Sequence, residues 1–309
     1  MKSNIFKYYI FAVLSMFFWG LTFVWSKIAL GYYEPITIIF IRLVISSAIL
    51  ALIVKLLGKQ QKIDRNDHKW FFLLALTQPF FYFLGENYGL KYVSSTISSV
   101  IIATIPLFSP FAAFIFTREK TSIFSWLGIL VSFAGILIMI LNPDFSLNAD
   151  PKGIAFLFLA VFSAVIYSAF IKKLTDKYTS LTIIARQNLL GAIYFLPLFL
   201  FFDFESFILV VPTQSLILAI LQLAVFGSCL AYIFFIMAVA KLGMVKANIF
   251  TNLIPVFTAV FSYFVLFEIF NIQKISGIIL VVMGIVVSQT REIMQLMNRG
   301  RVKSSKIQL

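Results

Sequence analysis

The sequence predicts an all-α polytopic membrane protein, with ten transmembrane helices arranged as two inverted five-helix repeats. Three observations predict it. The 309-residue chain is 61% apolar and 12% charged, against roughly 45–50% and about 25% in soluble domains, and its mean hydropathy is +1.00. The apolar residues gather into ten runs, each near the roughly 20 residues that a spanning helix needs. The two halves share residues in one ungapped frame, 149 positions apart.

The spans fall in order at Tyr8–Leu30, Pro35–Leu57, Trp70–Leu90, Val93–Thr117 and Ile123–Leu141, then Gly153–Ile171, Leu181–Phe202, Ser215–Val239, Val245–Phe267 and Ile275–Gln289. The first is expected to be retained, because no small-residue cleavage site follows it. Connections are short. The hydrophilic stretches of note are Lys55–Lys69 and the tail after Arg291. This composition excludes a soluble enzyme. One cysteine, Cys229, excludes an internal disulfide, and one histidine, His68, argues against a His-ligated metal. No cofactor and no metal are expected.

Lys and Arg set the direction. With the N-terminus in the cytoplasm, the inner segments hold 19 of them and the outer segments 3. Lys27, Arg42 and Arg186 lie inside spans. This bias places both termini inside. It also explains the net charge of +13 without nucleic acid. Outer loops carry Glu34, Asp144, Asp150, Asp203 and Glu205. The expected location is the cytoplasmic (inner) membrane, with the lipid bilayer as partner.

The repeat is clearest over Ile105–Ile136, where nine of 32 positions are identical to those 149 later. Pro106 meets Pro255, Glu119 meets Glu268, Gly128 meets Gly277 and Gly135 meets Gly284. Earlier the shift is 145: Ile36-Thr37-Ile38-Ile39 meets Leu181-Thr182-Ile183-Ile184. Five spans per repeat is an odd number, so the second copy enters from the opposite side. Such inverted repeats recur in secondary transporters, where exchange of two conformations between the copies gives alternating access. The expected units are residues 1–149 and 150–290, followed by a basic cytoplasmic tail, 291–309.

With these features the chain resembles the EamA-type members of the drug/metabolite transporter superfamily over residues 8–289. Phe18-Trp19-Gly20, Pro35 with Arg42, and Asn87-Tyr88-Gly89-Leu90-Lys91-Tyr92 carry the resemblance. So does the repeated order of mid-helix Pro, Glu at the helix end, then Gly. The resemblance implies a central cavity lined by helices 1, 3, 4, 6, 8 and 9, with 5 and 10 peripheral. It also implies a small-metabolite substrate, such as an amino acid or purine. It leaves proton coupling open.

Polar residues deep in a span are costly and mark functional sites. Glu86 is the one acid well inside a span, with Tyr82 on its helical face and Asn87 beside it. A carboxylate there suits an ammonium group or a coupling proton; the bland reading is an ion pair with Arg42 or Lys27. Ser99 on span 4, and Asn248 with Asn252 on span 9, suit a polar substrate group or helix–helix glue. Trp19, Tyr167 and Tyr232 sit mid-span as candidate cavity walls, with packing as the alternative. Pro106 and Pro255 are candidate hinges, or static kinks. Glu119 and Glu268 read as structural or gating groups. Arg42 and Arg186 are expected to snorkel to the interface. Tyr8, Tyr9, Tyr32, Tyr33 and Trp70 read as interfacial anchors. Gly128, Ser132 and Gly135 form a packing seam for a neighbouring helix or a homodimer.

The reading is a secondary transporter, an exporter of a small metabolite such as an amino acid, and not an enzyme. A channel-like facilitator lacks a filter loop or charge ring. An intramembrane enzyme lacks a clustered nucleophile, base or metal set. No phosphate-binding Gly loop points to ATP.

Overall fold

The computed structural model describes residues 3–58, 61–108, 123–141, 149–175, 177–242, 247 and 250–287. Among them there are ten helices and no β-strand. They are α1 (Ser3–Ala29), α2 (Pro35–Leu56), α3 (68–92), α4 (Ser95–Phe108) and α5 (Ile123–Ile140). The second half holds α6 (Pro151–Thr175), α7 (Ser180–Leu209), α8 (214–242), α9 (Phe250–Leu266) and α10 (Ile272–Val287). Each helix falls on one expected span, with ends shifted by a few residues. The expectations for Glu119, Asn248, the 142–148 loop and the tail lie outside the described residues. Phe6–Ala29, Pro35–Leu56, Ser180–Leu209 and Gln214–Val239 are long and apolar enough to cross a membrane. Large apolar side chains such as Leu130, Phe201 and Phe264 point outward, as a hydrocarbon solvent permits.

The largest contacts between the two halves fall into matched pairs. α1 packs on α8 and α9, and α6 packs on α3 and α4. α2 lies against α8, and α7 against α3. α2 also packs on α7, and α4 on α9. Exchanging every helix for the one five places away maps this set onto itself.

The α5–α10 seam has the same property. A Cβ on Gly135 would come within 2.7 Å of the Gly277 carbonyl oxygen, and one on Gly284 within 2.6 Å of the Gly128 oxygen. Between them, Ser132 Oγ donates to the Val281 carbonyl at 3.1 Å. Rising numbers on α5 meet falling numbers on α10, so the two helices run antiparallel. The Gly128, Ser132 and Gly135 face is therefore taken by a helix of the same chain. Small residues let the backbones approach where no hydrophobic force separates helix from lipid.

Helices α2 and α7 are also antiparallel and cap one another. The first N–H groups of a helix lack intrahelical acceptors. At the start of α2, Thr37 donates its N–H and its hydroxyl to Asp203 Oδ2, both at 2.9 Å. At the start of α7, the Thr179 N–H (2.7 Å) and the Thr182 hydroxyl (2.9 Å) donate to Gln61 Oε1. Thr37 and Thr182 are the matched residues of the 145-position shift. Tyr33, expected as an interfacial anchor, is instead buried beside Phe207, with ring centroids 5.4 Å apart.

The end that carries Gln61 is closed by a polar clasp. Asp67 accepts from Lys177 Nζ at 3.0 Å and from the Tyr178 hydroxyl at 2.8 Å. The opposite end holds Glu34 with Lys91 at 2.6 Å.

Two predictions follow from these contacts. Gly135→Ala should lower stability in detergent by about 1–3 kcal/mol, the usual range for overpacking, measured by thermal unfolding. Leu130→Ala, on the outward face, should change it little. For the clasp, the hydrogen bonds from Lys177 and Tyr178 hold the Asp67 carboxyl below its usual range. The Asp67 carboxylate raises Lys177 in turn. A depressed acid stabilises above the unfolded value of about 3.9 and loses this as pH falls through its folded value. A raised lysine stabilises below about 10.4 and loses this as pH rises. Asp67→Asn should therefore flatten the acid limb of a stability–pH curve below about pH 4, relative to the parent.

Candidate functional site

The polar interior is built where helices are interrupted. α3 is broken by a π turn at Leu76–Phe81, with Gln78 at φ −142°, ψ 119° and a cis Gln78–Pro79 peptide. α8 carries a π turn at Leu223–Leu230, on the far side of the same interior. α4 turns at Ala103–Thr104, just before Pro106. α9 opens with a 3-10 turn at Phe250–Leu253, just before Pro255. At a shift of 149, residues 250–253 are the counterparts of 101–104. Prolines remove a backbone donor, and π turns redirect the following side chains.

Arg42 of α2 stands at the centre, 2% exposed. Its Nε donates to Ser228 Oγ at 3.0 Å, and its guanidinium lies over the Phe83 ring, 4.2 Å from the centroid. Its Nη1 is buried without a hydrogen-bond partner among the described residues. Snorkelling was expected of Arg42; the structure corrects this. Ser228 on the α8 π turn and the Phe83 face draw the guanidinium inward, away from either interface.

Glu86 of α3 is 6% exposed and accepts the Tyr82 hydroxyl at 3.0 Å. Arg42 and Glu86 attract each other across the interior. They form no ion pair: among the described residues the two salt bridges are Lys91–Glu34 and Lys177–Asp67. Lys27 does not reach Glu86 either. Its Nζ donates to the Leu90 and Val93 carbonyls at 2.6 and 2.9 Å, capping the end of α3.

Further bonds join the surrounding helices. Gln78 Nε2 donates to the Tyr232 hydroxyl. Trp19 of α1 stands edge-on to Tyr232, at 5.1 Å between centroids. Tyr167 of α6 donates to Gln187 Oε1 at 3.1 Å. Asn188 donates to Ser46 Oγ at 3.0 Å and to the Ser228 carbonyl at 3.1 Å, tying α7 to α2 and α8. Cys229 Sγ donates to the Ser46 carbonyl at 3.7 Å.

The structure thus brings Trp19, Tyr82, Glu86, Tyr167 and Tyr232 into one interior. Asn87 is fully buried and bonds back to the Phe83 carbonyl at 3.0 Å, with its Oδ1 unpartnered among the described residues. Ser99 donates to Thr96 O of its own helix at 2.8 Å. Asn252 is buried in the 3-10 turn of α9, with Oδ1 unpartnered among the described residues. These two sit on the α4–α9 side, and no hydrogen bond links them to Arg42 or Glu86. Glu268 caps the start of α4, accepting the Ser95 N–H at 2.7 Å and the Thr96 hydroxyl at 2.6 Å. A carboxylate at a helix N-terminus is favoured by the dipole.

Sequence reasoning passed over Ser46, Gln78, Gln187, Asn188 and Ser228. Two adjacent amides and a Gln-Pro pair within apolar spans were the available signals. Among the described residues no group of three or more His, Cys, Asp or Glu could hold a metal. The arrangement offers a buried cation and a buried acid that form no salt bridge with each other. Each is anchored by a hydroxyl.

The profile of the EamA-like transporter family matches twice, over residues 6–141 and 151–290. A protein of Archaeoglobus fulgidus described as an uncharacterized transporter is 30% identical over 279 residues, covering 90% of this chain and 97% of its own. The uncharacterized transporter YetK of Bacillus subtilis is 27% identical, covering 80% of this chain and 76% of its own. One crystal structure superposes with a TM-score of 0.64 at 16% identity, covering 92% of this chain and 96% of that one; it speaks for the fold alone.

Ser228→Ala removes the acceptor of the Arg42 Nε–H without changing the backbone. An unpaired buried donor on a charged group costs about 1.5–3 kcal/mol. The variant should lose about that much stability in thermal unfolding, while Ser206→Ala, near the C-terminal end of α7, should cost less than half as much.

Proposed function

The chain belongs to the EamA-like transporter family, and from that premise we propose that it is a secondary active transporter. It exports a small zwitterionic metabolite of the amino-acid kind across the cytoplasmic membrane by alternating access. One observation carries the reading: Arg42 and Glu86, of opposite charge, are buried in the same interior without pairing to each other, and Arg42 Nη1 has no partner among the described residues. A carboxylate accepts two parallel bonds from a guanidinium. An ammonium group suits an acid already oriented by Tyr82. An amino acid carries both. Such a substrate supplies, on binding, the partner that each group lacks, in an interior where unpaired polar groups cost several kcal/mol.

The interruptions of α3, α4, α8 and α9 support alternating access. Discontinuous helices in matched positions of two repeats accompany midplane sites in transporters. The antiparallel pairs α2–α7 and α5–α10 are what two five-helix repeats of opposite orientation produce. The repeats are assigned to residues 1–149 and 150–290. The charge bias of the loops places both termini in the cytoplasm. Pro106 and Pro255, beside the turns of α4 and α9, are the assigned hinges. Glu86 is also the assigned carrier of a coupling proton.

Counterflow in proteoliposomes tests this with a panel of labelled amino acids, their amides and their decarboxylated amines. Arg42→Gln should weaken recognition of the carboxylate compounds by about tenfold or more, the equivalent of at least 1.4 kcal/mol. It should leave the amines less affected. Glu86→Gln should abolish accumulation driven by a pH gradient while exchange persists. A folded Arg42→Gln protein with unchanged preference between acids and amines would sink the proposal.

A further inference from the structure

A second binding place lies outside the polar interior. A groove of about 620 Å³ runs between α2 and α7 on the outside of the bundle. It begins at Gln61, beside the Asp67 clasp, and is lined along its length by Ala51, Val54, Ala185 and Ala192. From Thr182 to Ala192 it follows α7 for about 15 Å, at 1.5 Å per residue. Arg186 stands on its wall, exposed, with no bonding partner among the described residues. Lys55 and Lys62 are exposed near the same end.

The repeat shows that this space is particular to one end. At the other end of the same helix pair, Phe40 of α2 stacks on Phe199 of α7, with centroids 4.6 Å apart. Phe207 packs against Phe199 at 5.4 Å. At the 145-position shift, Phe40 corresponds to Ala185 and Val54 to Phe199. Both small counterparts line the groove. Two rings close the seam at one end, and two small residues open it at the other.

We propose that the groove holds one acyl chain of an anionic phospholipid, with its phosphate on Arg186. The walls are mainly apolar, and α7 runs about 9 Å along the groove from Arg186 to Ala192, at 1.5 Å per residue. The wall carries a cation without a partner among the described residues, toward the end where Lys55 and Lys62 are exposed and where anionic lipid headgroups supply the complementary charge. This site is separate from the Arg42–Glu86 interior and does not depend on its substrate.

Native mass spectrometry of the full chain, released from nanodiscs of equal phosphatidylglycerol and phosphatidylcholine, tests it. The parent protein should retain one phosphatidylglycerol in preference to phosphatidylcholine. Ala185→Phe, which restores the ring found at the other end, should lose it. Arg186→Gln should cut the preference about tenfold, the loss expected for one charge-assisted bond. Thermal unfolding confirms that each variant is folded, and Ala185→Leu serves if the Phe variant is not. Equal retention by parent and filled variants would overturn the proposal. So would a parent dimer that Ala185→Phe turns into monomers with no change in bound lipid, which would make the occupant a second copy of this chain. Undiminished preference in Arg186→Gln would overturn the assignment of the phosphate to Arg186.

Discussion

A guanidinium sealed inside a helical bundle dictates what surrounds it. Arg42 cannot lose its charge, and hydrocarbon offers it nothing. Several of its neighbours therefore have a polar or π-electron role. Ser228 accepts its Nε–H, Phe83 offers a ring face, and Asn188 braces the Ser228 turn against Ser46. The π turn of α8 is part of the same constraint, because it delivers Ser228 and Cys229 to the interior. Glu86 balances the charge from a distance, steadied by Tyr82.

The break in α3 belongs to this arrangement. Gln78 leaves helical geometry where Pro79 has no N–H to give. Its side chain then reaches Tyr232, which Trp19 supports from α1. α3 and α8 thus meet through one aromatic hydroxyl, and α1 joins them through a ring contact. The α4–α9 pair is kept apart from this network, and holds its own buried amide and hydroxyls near Asn252 and Ser262. The interior therefore has two polar regions of different character. One is charged and braced. The other is neutral and lies beside the prolines.

Much of this was legible from the sequence. Ten spans, their order and the family follow from hydropathy, charge and the Pro–Glu–Gly repeat, because a hydrocarbon solvent forces those patterns on any chain that crosses it. Glu86, Tyr82, Trp19, Tyr167 and Tyr232 were legible as interior groups for the same reason. Arg42 was misread because depth along a helix does not reveal which way a long side chain turns; only the position of Ser228 on another helix decides that. Gln78, Gln187 and Asn188 were missed although a buried amide is as informative as a buried acid. Attention had gone to charge. The mutual capping of α2 and α7 was out of reach, since Asp203 and Gln61 look like ordinary loop residues until the fold places them on Thr37 and Thr182.

That mutual capping bears on how the protein is made. A ribosome delivers α2 long before α7, so the first N–H groups of α2 meet Asp203 only after some 165 further residues have emerged. The same delay applies to α3 waiting for α6, and to α5 waiting for α10. Each half packs partly on itself, but many of the helix contacts join one half to the other. The early helices must therefore be held in the bilayer as a loose set, sheltered by lipid or by the insertion machinery. Compaction becomes a single late event, completed when the last helix closes the seam at Gly135.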